Sequence, residues 1–314
     1  DVMLKYVLKR LGYILVTLWV IVTCTFFMMK NLPGTPFDAE RFSIMTPQQQ
    51  ERVLEMYGLN DSLPMQYVKY IKNMLKGDLG TSFTYVNQDV SKVITGRLGP
   101  SALIGIQAVL IGLAIGLILG ILAAWKHNSG IDYFTMILAV LGVSVPNFVA
   151  AALLQYYIGL KWGVLPVGFW TGWNCSVLPS IALSFSATAM VARFMRTEML
   201  DVLDQDYIIT ARAKGLSQMK VLMRHAVRNS ILPVVTILGP IVVNLMTGSL
   251  AVENIFSIPG IGSLFVDCIK ANDYPVIMGI TIFYAAFYML IVLLVDLAYS
   301  LIDPRIRLAK GKES

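Results

Sequence analysis

The chain has 314 residues, 56% of them apolar and 14% charged, with a formal net charge of +6. A mean hydropathy of +0.68 is too high for a soluble domain of this length, so the sequence reads as an all-α polytopic membrane protein. The pI near 9.1 would suit a nucleic-acid binder. However, the basic residues fall in short clusters beside apolar runs, the pattern of cytoplasmic membrane loops, which excludes nucleic acid as a partner.

Six uncharged runs follow one another along the chain, at residues 11–29, 98–125, 133–160, 162–192, 229–252 and 274–295. Crossing a hydrocarbon core takes about 20 residues of helix, so six membrane spans are expected. An even number puts both termini on one side. Lys5, Lys9 and Arg10 at the start, and Arg305, Arg307, Lys310 and Lys312 at the end, make that side the cytoplasm. The first run has the basic start of a signal peptide but is too long for one and lacks a small-residue cleavage site, so a retained helix is expected.

Residues 31–97 read as a long external segment, with eight Lys or Arg against seven Asp or Glu between Lys30 and Arg97. Thr46-Pro47-Gln48-Gln49 is a helix start, residues 67–75 have helical spacing, and Gly77-Asp78-Leu79-Gly80 is a turn. In the second span Ala108, Gly112, Gly116, Gly120 and Ala124 recur every four residues. That smooth stripe predicts close helix packing, against the same chain or a second subunit. In the third span Pro146 removes a backbone hydrogen bond and should kink the helix.

The fourth run is too long for one helix. Residues 162–174, rich in Gly, Pro and Trp, read as an interfacial external loop, which leaves the fourth span at 177–191. A polar island at 193–233 follows, carrying seven of the chain's 25 Lys and Arg, and belongs outside the bilayer. One short helix at about 204–214 should end at Gly215, a residue suited to a left-handed closing position. A second should start at the N-cap Ser217, with Met219, Leu222, Met223 and Ala226 on one face and Lys220, Arg224 and Arg228 on the other. Pro233 fits the first turn of the next span. Two readings are open for the island: a basic loop on anionic headgroups, or a docking element for a cytoplasmic partner. Residues 253–273 form another external loop.

The wording of the island decides between them. Its stretches DYIITARAKG (206–215) and RHAVRNSILP (224–233) resemble the cytoplasmic signature of ABC-transporter permeases, a short helix ending in Gly and followed by Leu-Pro. Two departures, Ile209-Thr210-Ala211 in place of Glu-Ala-Ala and a longer gap from Gly215 to Leu232-Pro233, are features of the peptide-permease branch. LPGTP (32–36), YGLNDSLPMQY (57–67), GDLGTS (77–82), Ser144-Val145-Pro146-Asn147-Phe148, IFSIPGIG (255–262), Asn272-Asp273-Tyr274-Pro275 and the closing LIDPRIR (301–307) are similar to that branch as well. The resemblance thus covers the chain to about residue 308. It points most directly to the B-type subunit of oligopeptide permeases, with a dipeptide or nickel-complex permease as the alternative.

The resemblance implies a type I ABC-importer transmembrane domain at 98–303, preceded by an N-terminal helix (1–30) and an extracytoplasmic segment (31–97), and followed by a cytoplasmic tail (304–314). Residues 193–230 would be the coupling loop, with Asp206, Tyr207, Thr210, Ala211, Arg212, Ala213, Lys214 and Gly215 meeting an ATPase subunit, and Ala211 set where a partner accepts only a small side chain. It also implies a second homologous permease subunit, two ATPase subunits that bind ATP and Mg, an extracytoplasmic peptide-binding protein and a peptide substrate. The site would be a bacterial cell membrane.

Reactive chemistry is scarce. There is no GxxxxGK[ST] run for nucleotide phosphates. The only histidines, His127 and His225, fall in cytoplasmic loops and form no metal site or triad. Cys24, Cys175 and Cys268 form no CxxC pair, so free thiols are expected. Inside the spans there is no Lys or Arg and one acid, Asp296, which argues against an ion-coupled secondary transporter. Neither a metal nor a cofactor is expected in this chain.

Overall fold

The structure, a computed structural model, describes residues 2–31, 39–56, 58–85, 88–246 and 249–302. The LPGTP segment, most of the LIDPRIR segment, the basic tail and the side chains of Lys5 and Asp296 lie outside the described residues. Fourteen α-helices are described: α1 (Val2–Lys30), α2 (Ala39–Ile44), α3 (Pro47–Met56), α4 (Leu63–Met74), α5 (Val90–Trp125), α6 (Gly130–Ser144), α7 (Asn147–Leu154), α8 (Val177–Leu203), α9 (Asp206–Ala213), α10 (Gln218–Val221), α11 (Arg228–Met246), α12 (Leu250–Ile255), α13 (Ile261–Lys270) and α14 (Tyr274–Ile302). Among the described residues five helical stretches are long and apolar enough to cross a membrane, and there is a sixth if the bent pair Gly130–Ser144 and Asn147–Lys161 counts as one span.

The bend in that pair is 100°, a break more than a kink. Helix α6 ends at Ser144, Val145 is extended at φ −79° and ψ 117°, and Pro146 opens α7 as its N-cap. The cause is local. A proline disfavours the helical region for the residue before it, so Val145 leaves the helix before Pro146 can kink it. The pair then continues through a π-helical segment at Gln155–Lys161.

Two other sequence expectations are corrected. Helix α8 does not stop near Val191 but runs to Leu203, because Val191, Met195 and Met199 continue one buried face at every fourth residue. Pro233 lies well inside α11, whose first residue is Arg228, because the preceding π-helical segment at Leu222–Val227 runs straight into it. The fifth apolar run lies within one candidate span, Gln218–Ile255, in which Ser249 is the N-cap of α12.

The chain separates into two compact units, one made of 100–262 with 287–314 and residues 1–2, the other of 3–99 with 263–286. In the first unit α8 is the central helix. Of its apolar window, 67% is buried, against 11% for α1 in the other unit, so α8 is a core element and α1 a peripheral one. Ile104, Ala108, Leu178, Leu183, Val191, Met195, Leu245 and Phe256 belong to its core cluster. The small-residue stripe of α5 lies on α8. A Cβ at Gly112 would stand 2.7 Å from the Ala187 Cβ, at Gly116 2.7 Å from the Val191 Cβ, and at Gly120 2.6 Å from the Ala192 carbonyl oxygen. Backbones this close need glycine.

In the second unit Phe26 and Phe27 of α1 meet Tyr67 of α4 at ring-centroid distances of 5.4 and 5.7 Å. Thr46 and Gln49 form a reciprocal cap on α3, with Gln49 Oε1 accepting from the Thr46 amide at 2.9 Å. Two of the resemblance segments meet at Asp273. Its buried carboxylate accepts from Ser82 Oγ and from the amides of Phe83 (3.2 Å) and Thr84 (3.0 Å). The GDLGTS turn and the start of α14 are therefore tied by one carboxylate.

Candidate functional site

The polar island folds as a helical loop between α8 and α11. Helix α9 is bounded by Gln205, extended at φ −78° and ψ 146°, and by Gly215 at φ +77°, the left-handed position only glycine takes without strain. The Gly215 amide donates to the Arg212 carbonyl at 2.9 Å. Ser217 occupies the N-cap of α10 without a side-chain cap bond.

Ile208, Ala211 and Val221 form a small core with Val202 and Leu203 of the last turn of α8. Ala211 is therefore buried within its own chain, and its small size is set first by that packing. The outward residues of the expected coupling set are Asp206, Tyr207, Thr210, Arg212, Ala213, Lys214 and Gly215, joined by Ile209. Tyr207 is further fixed by a 3.0 Å hydrogen bond from Asn229 Nδ2 to its Oη. On the next segment Val221, Leu222 and Ala226 are buried, whereas Met219 and Met223 are 49% and 54% exposed. The π-helical turn explains the difference, since one extra residue per turn shifts the face that a regular helix would bury.

A second cluster joins α6 to α8. Asp132, in the first turn of α6 and 2% exposed, receives Arg196 Nε at 2.5 Å and Nη2 at 2.8 Å, along with the Asn128 amide at 3.0 Å. His127 Nδ1 stands 3.0 Å from Asp132 Oδ2. Arg196 lies two turns before the end of α8, whose last turn packs on the loop core, so α6 and that core are joined through α8. No sequence signal joins residues 64 apart, although an acid at a span's first turn was the available hint.

A third feature is an apolar cavity of about 720 Å³ between α5, α6, α7 and α8. Ile115, Leu138, Leu153 and Phe185 line it, with only the hydroxyls of Thr135, Ser184 and Thr188 for polarity. The Pro146 break bounds it, since Val145 and Ala150 both line the wall.

Nothing in this arrangement resembles a reaction centre. No group of three or more His, Cys, Asp or Glu able to hold a metal occurs among the described residues. All three cysteines are free. Burial, then Asp273 and Asp267, push the Cys268 thiol up to about 12, which keeps it protonated and inert.

Membrane-crossing helices around an apolar cavity, with a helical loop turned outward between two of them, define a polytopic membrane transport component. Residues 116–308 match the family described as binding-protein-dependent transport system inner membrane component, and residues 3–98 match the N-terminal part of such components. The chain belongs to this family. It is 46% identical over 306 residues to the dipeptide transport system permease protein DppB of Lactococcus lactis subsp. cremoris, covering 98% of this chain and 100% of that one. It is 39% identical over 307 residues to the oligopeptide transport system permease protein OppB of Haemophilus influenzae, covering 97% and 100%. A solved methionine ABC transporter in inward-facing conformations shares the fold, with a TM-score of 0.53 at 14% identity over 67% of this chain and 96% of that one. The relatives are permease components, not enzymes, and this chain is of the same kind.

Proposed function

We propose that this chain is the permease subunit of an ATP-driven peptide importer, forming half of the translocation pathway beside a second, similar permease subunit. The observation that carries the reading is end-to-end similarity to permeases named for peptides, at 46% and 39% identity. The higher of the two belongs to a dipeptide permease, which supports short peptides over the longer ones that the sequence motifs favoured. Two ATPase subunits, holding ATP and Mg, dock on the outward face of α9. An extracytoplasmic peptide-binding protein delivers substrate to the opposite side. Both termini and the loop between α8 and α11 are cytoplasmic, and residues 31–97 are outside, in accord with the placement of Lys and Arg.

Uptake of labelled di-, tetra- and longer peptides by cells lacking only this gene, with and without the restored gene, tests the substrate. Loss of dipeptide uptake alone supports the dipeptide reading, and unchanged uptake of every peptide refutes the class. Single cysteines at Ser62 and Ser217 in a cysteine-free chain test the orientation. An impermeant reagent added outside should label only the first.

A further inference from the structure

The second unit holds a polar pocket of about 370 Å³ at the C-terminal end of α1. Lys30, the last residue of the apolar stretch Leu8–Lys30, reaches into it with its Nζ 5.7 Å from the centroid of the Phe26 ring. Tyr70 of α4 stands on the same ring, with centroids 5.9 Å apart. The Tyr70 hydroxyl is buried and has no hydrogen-bond partner among the described residues. The other lysine of the pocket, Lys69, is already paired with Asp61 at 2.6 Å. On the remaining wall are two acids, Glu55 and Asp78.

A cation at the end of a helix is unremarkable, because the dipole favours it there. The hydroxyl is not explained that way. A buried donor without a partner costs free energy and needs an acceptor. An ammonium and a phenol flanking one ring call for an anionic oxygen group, and the acids opposite call for a cation on the same molecule. The place narrows the ligand further. Phe27 and Met28, one turn or less before Lys30, are exposed and apolar, as are Leu15, Val16 and Trp19 below them. In a membrane component such a face meets acyl chains, and a lysine at the end of a span reaches to the headgroup level.

We propose that this pocket binds the headgroup of a zwitterionic membrane phospholipid of the phosphatidylethanolamine type. Lys30 Nζ and Tyr70 Oη donate to the phosphate. Glu55 and Asp78 receive the ammonium, and the acyl chains run along the exposed face of α1.

The test uses the full chain, purified with its partner subunits in mild detergent and stripped of lipid. Added phosphatidylethanolamine should raise the melting temperature of the wild type and remain bound in native mass spectrometry. Lys30→Gln and Tyr70→Phe should each weaken that binding by roughly tenfold, as expected for one lost hydrogen bond to a charged group. Without lipid, Tyr70→Phe should melt at the wild-type temperature or above, since it removes only an orphan hydroxyl. Millimolar inorganic phosphate should not replace the lipid, and phosphatidylglycerol should bind more weakly. Equal lipid binding by wild type and both variants would overturn the site. So would a Tyr70→Phe loss of stability that is the same with and without lipid, because an ordered water would then be the only partner. Equal protection by free phosphate would overturn the lipid as the source, and equal binding of phosphatidylglycerol would overturn the headgroup.

Discussion

Arg196 of α8 clamps Asp132 of α6 with two hydrogen bonds, at 2.5 and 2.8 Å, across 64 residues of sequence. The carboxylate is 2% exposed and the guanidinium 21%, so losing either partner leaves a largely buried charge uncompensated, most of all at Asp132. Asp132→Asn should therefore destabilise the protein by about 3 kcal/mol, the lower end of the range for breaking a buried pair. Arg196→Lys should cost less, because it keeps the charge and loses only the two-pronged geometry. Exchanging the two residues should not restore stability. The Asn128 amide and the α6 N-terminus both favour an anion at position 132. Thermal unfolding in detergent measures all three, and a silent Asp132→Asn would show that the pair contributes nothing.

Two glycines of α5 should respond to alanine with opposite signs. At Gly116 a Cβ would lie 2.7 Å from the Val191 Cβ and 2.9 Å from the Thr188 carbonyl oxygen, so the helices must part, at about 1–3 kcal/mol. At Gly96 a Cβ meets nothing within 4 Å, and alanine should stabilise the helix by about 0.5–1 kcal/mol. Melting temperatures that move in the same direction would contradict this packing.

Ser101 is a single hydroxyl with two duties. Its Oγ donates to the buried Glu253 carboxylate at 2.7 Å and accepts from the Ile261 amide at 2.9 Å. Ser101→Ala strips both groups of this partner, for an expected loss of about 1–3 kcal/mol. Ser101→Thr keeps the hydroxyl and should be milder. Limited proteolysis across residues 257–262, together with thermal unfolding, reads the effect. No change on Ser101→Ala would mean that the segment is held by its other contacts.

How legible the chain was depends on the range of the interaction. The apolar runs declare the spans because twenty uncharged residues need no partner to be read. Gly215 and the Thr46–Gln49 cap are local chemistry and follow from neighbouring residues. The limit of α8 was missed because charge marked Arg193 as the edge of the bilayer. A helix has no reason to stop where its surroundings change, and Met195 and Met199 keep its buried face running. Burial on the following segment was misassigned for another reason. The π-helical turn at Leu222–Val227 breaks the 3.6-residue period on which the two-face pattern rests. Asp132–Arg196, Ser101–Glu253 and Ser82–Asp273 are meetings of distant residues, and no spacing in one sequence announces them.

The coupling proposal makes its sharpest prediction on α9, where inward and outward residues alternate over a few positions. Ile209 is 58% exposed and Tyr207 43%, so Ile209→Asp leaves the small core of Ile208, Ala211 and Val221 untouched. Ala211→Asp, in contrast, puts a charge into that core and should unfold the loop, with a cost of several kcal/mol for an unpaired buried carboxylate. If ATPase subunits grip the outward face, Ile209→Asp should leave the abundance and melting temperature of the chain unchanged. It should still abolish most peptide uptake and reduce recovery of ATPase subunits on purification. Ala211→Asp should impair both stability and transport, and so cannot by itself separate the causes. A loop that only rests on anionic lipid gives a different pattern. There, Lys220, Arg224 and Arg228 changed together to Gln should be the damaging set, and Ile209→Asp should transport normally. Uptake, ATPase recovery and melting temperature measured on the same three variants decide the matter, and normal uptake by Ile209→Asp would remove α9 as the coupling face.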